Sequence, residues 1–170
     1  SIAAELFLDP GDALVLPEPY WENYDLIFHH VTGTPLRAVP LFQGDSFNLS
    51  GVQRAISISS QKTVLLLNFP NNPTGYALRE EEVRGLCHAL YTVAEEGREL
   101  VVIVDDAYCG LVYEEGVFAE SLFAPLSSLH ENILVVKVDG CSKEDYAWGL
   151  RVGFLTYGGK RLSEHDLRLL

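Results

Sequence analysis

The chain lacks any apolar run long enough to cross a bilayer. Segments such as 64–67 and 100–104 fall far short of the roughly 20 residues a spanning helix needs, so no membrane association is expected. Basic residues are also scarce. Twelve Lys and Arg stand against 24 Asp and Glu, a net charge of −12. No Lys/Arg stripe is available to neutralise a row of phosphates, so nucleic acid is not the expected partner. The three cysteines, Cys87, Cys109 and Cys141, are odd in number and have no CxxC spacing. That argues against a disulfide framework and against a zinc site, and it favours a reducing, cytoplasmic setting. No basic stretch precedes an apolar one at the start, so no signal peptide is read there. Internal repeats and low-complexity linkers are missing as well.

What is present fits one soluble globular domain over residues 1–170, with 48% hydrophobic and 21% charged residues. Short apolar runs alternate with stretches of helical period, the pattern of βαβ units with helices on both faces of a mostly parallel sheet. Strands are expected at 13–16, 35–39, 63–69, 100–105, 133–138 and 152–156. The clearest helix lies between the third and fourth of these, where Val83, Leu86, Cys87, Leu90, Val93 and Ala94 recur at helical spacing. Glu80, Glu81 and Glu82 stand where the helix dipole favours negative charge. Segments 21–31 and 49–58 are weaker helix candidates, and Pro10-Gly11-Asp12 reads as a turn. The chain opens on an apolar helical pattern without a preceding loop and closes at 163–170 on a capped helix just begun. Both ends therefore read as cut, and the chain is expected to be a piece of a longer polypeptide.

Three segments carry chemistry. Asn71-Asn72-Pro73-Thr74-Gly75 follows a strand directly, at the strand's carboxyl end, where open α/β sheets place ligands; the plain alternative is a turn and nothing more. Asp105-Asp106-Ala107-Tyr108 ends a strand whose unbroken apolar run implies burial on both faces. A carboxylate there needs a partner. It either caps a helix or pairs with an arginine, or it holds a protonated ring nitrogen, an arrangement in which opposite charges stabilise each other. Ser142-Lys143 follows the strand at 133–138, with Arg151 in Gly149-Leu150-Arg151-Val152-Gly153. A lone loop lysine is usually solvated, but one beside a cation in a partly desolvated pocket becomes nucleophilic, and arginine suits a phosphate.

These segments, with Pro10-Gly11-Asp12 and Pro17-Glu18-Pro19-Tyr20-Trp21-Glu22-Asn23-Tyr24, occur in one order over nearly the whole chain. In that set the sequence resembles fold-type I pyridoxal-phosphate (PLP) enzymes, the class I/II aminotransferases in particular. The resemblance implies a three-layer α/β/α large domain with a seven-stranded sheet, one strand antiparallel, completed as a homodimer. It implies pyridoxal 5'-phosphate as cofactor, with amino acids and 2-oxo acids as substrates. Lys143 would form the Schiff base and shuttle the proton, and Asp105 would hold the pyridinium nitrogen. Asn72 and Tyr108 would bond the ring's phenolic oxygen, Arg151 the phosphate, and Trp21 would stack on the ring, with Tyr20 as the lesser candidate. Other PLP outcomes, such as C–S lysis or decarboxylation, use the same residues, and a PLP-binding regulator without turnover is a further alternative. Two departures stand out. Gly140 occupies the place, three residues before the lysine, where the family often has a phosphate-binding serine, which leaves Ser142 or a backbone N–H for that task. The family's phosphate loop and its substrate-carboxylate arginine fall outside this chain.

Overall fold

The computed structural model describes residues 2–58 and 62–169; Ser1 and Leu170, the outermost residues of the two expected end helices, lie outside them. Helix α1, Ile2–Phe7, leads through a turn to strand β1, Leu14–Glu18. Gly11 makes that turn at φ +100°, a conformation open to glycine because it has no Cβ. Strand β2 is Leu36–Pro40, and a small antiparallel hairpin follows, β3 (Phe42–Gln43) with β4 (Ser46–Phe47). Then come α2 (Leu49–Ile58), β5 (Lys62–Asn68), α3 (Glu80–Glu95) and β6 (Glu99–Asp105). The last elements are α4 (Phe123–Ser127), β7 (Ile133–Asp139), α5 (Cys141–Glu144), β8 (Phe154–Gly158) and α6 (Glu164–Leu167).

The main sheet has the order β2-β1-β5-β6-β7-β8. All neighbours are parallel except β7 and β8. One antiparallel strand is as expected, but the described residues give six strands and not seven, since β3 and β4 pair only with each other. The central strands bury both faces. Leu65, Leu67, Val102 and Val104 pack into the core under α2, α3 and α4, while the alternate residues Val64, Leu66, Val101 and Ile103 pack under α1 and the 25–30 segment. This period-two division of one apolar run between two cores makes the three layers. Each such fully buried side chain contributes about 1.5–3 kcal/mol.

Three departures from expectation have identifiable reasons. The last strand begins at Phe154 and not at 152, because a 3-10 turn at Trp148–Leu150 is followed by Arg151 in the left-handed region, φ 53°. The strand expected at 13–16 runs on to Glu18 through Pro17, which has no N–H to give. Accordingly, the ladder to β5 ends at Val15 while the one to β2 continues. The 21–31 helix takes its wider π form over Asp25–His30. By contrast, α2 spans the expected 49–58, and α3 carries Glu80, Glu81 and Glu82 in its first turn.

Candidate active site

The carboxyl ends of β5, β6 and β7 converge on one rim, the place where sheets of this kind bind ligands. Asn68 and Asp105 end their strands side by side in register. The Asn68 amide donates to the Asp105 carbonyl at 3.0 Å and accepts the Asn72 N–H at 2.9 Å, so the end of β5 holds both the acid's backbone and the next loop. That loop is closed by Asn71, a buried side chain whose Oδ1 accepts from the Thr74 N–H (3.2 Å) and hydroxyl (2.6 Å). The Asn71-to-Gly75 motif is a turn, and it also carries Asn72 to the rim.

Asp105 is partly buried and takes two hydrogen bonds, from the Tyr24 hydroxyl at 2.6 Å and from the Ala107 N–H at 3.0 Å. Burial pushes its carboxyl above the usual range; the two donors pull the other way, and neighbouring Asp139 adds to the rise. The Tyr24 phenol is pushed far up, first by its own burial and then by the Asp105 charge, so it is a permanent donor. Behind the rim, Asp106 is 2% exposed, accepts the Ser121 hydroxyl at 2.5 Å and lies 3.6 Å from Lys137, which also pairs with Asp139 at 2.9 Å. Burial and this acidic neighbourhood push the Cys109 thiol up to about 11, which keeps it protonated and unreactive at neutral pH.

Lys143 rides on the short α5, directly after β7, and its ammonium lies 5.6 Å from the centroid of the Tyr108 ring, close enough for a cation–π contact. Gly140 explains its own presence. A Cβ there would meet the Val152 carbonyl oxygen at 3.0 Å, so the close approach of the segment just before β8 to the start of α5 favours glycine over the serine the family often has there. Ser142 sits within α5.

A cavity of 120 Å³ brings together Trp21, Tyr24, Asn72, Asp105, Tyr108 and Lys143. A larger one of 360 Å³ shares Trp21, Tyr24 and Asp105 and extends toward α1 and β8. Five of the six site residues expected from the sequence therefore line one space. Tyr20 does not line it and instead donates to Asp25 at 3.3 Å, which leaves Trp21 as the aromatic wall. Arg151 stands outside it, exposed, with its guanidinium donating to the Trp148 carbonyl at 3.2 Å. Sequence reasoning gave no role to Tyr24 or Asn68. For Asn68 a signal existed, since it lies three residues before the Asn71-to-Gly75 turn, at the end of a strand. For Tyr24 the signal was its place three residues after Trp21.

Chemically, the cavity offers an acid, an amine, an indole ring, and amide and phenol groups. That donor set fits a flat heteroaromatic ring with a cationic nitrogen, a phenolic oxygen and a carbonyl able to take an amine.

Comparison with known proteins agrees in kind. The family model for aminotransferase class I and II matches residues 1–165. An aspartate aminotransferase of Musicola paradisiaca is 30% identical over 153 residues, covering 87% of this chain and 34% of the relative. The crystal structure of an aminotransferase from Anaerococcus prevotii superposes with a TM-score of 0.86 at 31% identity, over 98% of this chain and 41% of that one. A Burkholderia pseudomallei aromatic-amino-acid aminotransferase, covalently bound to pyridoxal phosphate in its crystal, shares the fold, with a TM-score of 0.77 at 24% identity over 99% of this chain and 41% of that one. The chain thus spans about a third of the length of the curated relatives it matches.

Proposed function

Because the chain belongs to the aminotransferase class I and II family, we propose that it forms the PLP-binding part of an enzyme that moves an amino group between an amino acid and a 2-oxo acid. The observation that carries this reading is the shared cavity of Lys143 and Asp105, with Trp21, Asn72 and Tyr108 around it. Bound PLP supplies an electron sink for the bond-breaking step.

This chain's own residues prepare the site. Asp105 would hold the ring nitrogen, and a cation there would offset the burial that works against its charged form. Lys143 would be the amine that holds the cofactor's carbonyl carbon and the base that moves a proton at the substrate α-carbon. It lines the same cavity as Asp105 and Trp21. The Asn72 amide and Tyr108 phenol, which line the same cavity, would donate to the ring's phenolic oxygen. Trp21 would stack on one ring face and shield it from water. Arg151 would hold the phosphate with its planar fork after giving up the Trp148 carbonyl.

The wider expectations belong to the same proposal. A homodimer is supported by the exposed apolar strip Tyr146, Trp148, Leu150, Val152 and Phe154. A cytoplasmic setting is supported by three unpaired cysteines; among the described residues no helix is long and apolar enough to cross a membrane. Residues 1–170 would be part of one large domain.

The test is to load the full-length protein carrying this chain with PLP, reduce with borohydride and locate the phosphopyridoxyl group by peptide mass spectrometry. A label confined to Lys143 and lost in Lys143→Ala is the expected result. A label that is absent, or scattered over surface lysines, would overturn the assignment.

A further inference from the structure

A further cavity, of 290 Å³, adjoins the one that holds Lys143 and shares Asn72 and Tyr108 with it. One wall is the loop after β5, with Pro70 and Pro73, and the other is the chain that leaves β6, with Leu111 and Tyr113. Backbone bonds fix both walls. The Gly75 N–H closes the loop on the Asn71 carbonyl at 2.7 Å, and the Leu111 N–H donates to the Tyr108 carbonyl at 3.0 Å in the 3-10 turn Cys109–Leu111. Leu111 is 38% and Tyr113 96% exposed, so neither is spent on the core. Among the described residues no charged side chain lines this cavity, and Glu114 and Glu115 follow Tyr113 directly. The space admits a ring with room to spare, since an apolar cavity of about 150 Å³ already takes up benzene.

We propose that this adjoining cavity receives the side chain of the amino acid substrate and selects an uncharged aromatic ring over a second carboxylate. This rests on the reading of the first cavity as a PLP site, and it adds the substrate class which that reading leaves open. In PLP the carbonyl carbon and the phenolic oxygen are carried on adjacent ring atoms, so an amine that reaches the carbonyl carbon comes next to the groups that meet the oxygen. Those groups are Asn72 and Tyr108, and they are the two residues the cavities share. A ring placed there gains apolar contact with Leu111 and the two prolines and aromatic contact with Tyr113. A carboxylate placed there gives up water and finds no cation, which is costly for a charge. Neutral donors do not make up the difference. The Asn71 amide is turned to the Pro19 carbonyl at 3.4 Å, while Asn72 and Tyr108 serve the ring oxygen. Glu114 and Glu115 add like-charge repulsion at the Tyr113 side.

The experiment titrates the PLP-loaded full-length protein with 3-phenylpropionate and with succinate, which keep a substrate's carboxylate and side chain but lack the amino group. They therefore report binding without turnover. Binding is followed by the visible absorbance of the cofactor, and the Lys143 adduct is mapped in parallel. The parent should bind 3-phenylpropionate at least about tenfold more tightly than succinate. Tyr113→Ala should weaken 3-phenylpropionate roughly threefold to tenfold, the size of one aromatic contact, and move succinate by less than about twofold. Because Tyr113 is almost wholly outside the core, its truncation leaves the fold in place. Leu111→Arg supplies the missing cation and should turn the preference toward succinate. A parent that prefers succinate, or a Tyr113→Ala protein in which both acids weaken alike or neither weakens, overturns this inference, and a label at Lys143 then leaves the PLP reading standing. A parent that takes no label at Lys143 overturns both.

Discussion

Glu82 offers the sharpest test of how the site is supported from below. It lies in the first turn of α3, 6% exposed. Its carboxylate accepts the Phe47 N–H at 2.7 Å, the Arg79 N–H at 2.8 Å and the Tyr76 hydroxyl at 2.7 and 2.8 Å. One side chain thus caps α3, pins the β3–β4 hairpin and holds Tyr76, whose carbonyl in turn accepts the Asn71 N–H at 2.8 Å and closes the loop bearing Asn72. Truncation in Glu82→Ala strands the buried Phe47 N–H, at about 1–3 kcal/mol. It also forfeits the charge at the helix N-terminus, at about 0.3–1 kcal/mol, and frees Tyr76. Together these predict a loss of about 3 kcal/mol, a fall in urea midpoint of about 1.5 M at an m of about 2 kcal/mol/M. Glu82→Gln keeps the shape and one acceptor and should lose about half as much. The pH dependence has a definite sign. Burial alone would raise this carboxyl, but the donations from Arg79, Phe47 and Tyr76 outweigh it and leave it below its ordinary value. A depressed folded value contributes stability that is fully present above the unfolded value of about 4.3 and is lost as pH falls through the folded value. The gap between parent and Glu82→Gln should therefore be open near neutrality and close on acidification below about pH 4. Urea unfolding followed by circular dichroism at several pH values measures both. A Glu82→Ala loss under about 1 kcal/mol, or a Gln gap that does not narrow in acid, would refute the reasoning.

Two further outcomes follow from the cavity. Trp21→Ala should weaken PLP affinity roughly tenfold, whereas Tyr20→Phe, whose hydroxyl faces Asp25 and not the cavity, should leave it unchanged in the same titration. Gly140→Ser, the residue the family often has at that place, should lower stability by about 1 kcal/mol, because its Cβ must displace the Val152 carbonyl; unfolding curves would show the shift, and a serine that tightened PLP instead would contradict the packing argument.

The layers of this fold were legible because a parallel sheet covered on both sides writes itself as unbroken apolar runs. Residues 100–104 and 64–67 need no alternation when even and odd positions serve two different cores. Boundaries were less legible where one residue's backbone state decides them. Arg151 in the left-handed region moves β8 by two residues, and no periodicity announces a single positive φ in a non-glycine residue. The strand through Pro17 was cut short for a related reason: a missing N–H reads as a strand end, although here it ends only one of two ladders.

For the site, ordered motifs named the residues that would touch a cofactor, and five of them share one cavity. What they could not name is what holds those residues, because that information is not local. Tyr24 and Asp105 are 81 positions apart, and Glu82 reaches Phe47 across 35. A tyrosine in an aromatic cluster looks like core from sequence, and a glutamate in a helix's first turn looks like a dipole partner at the surface. Both readings are correct as far as they go. Each side chain also has a second, polar end, and only the fold shows where that end lands. Groups that meet a ligand are constrained by the ligand's chemistry, which recurs as a motif. Groups that support them are constrained only by geometry, and several residue types could satisfy the same geometry.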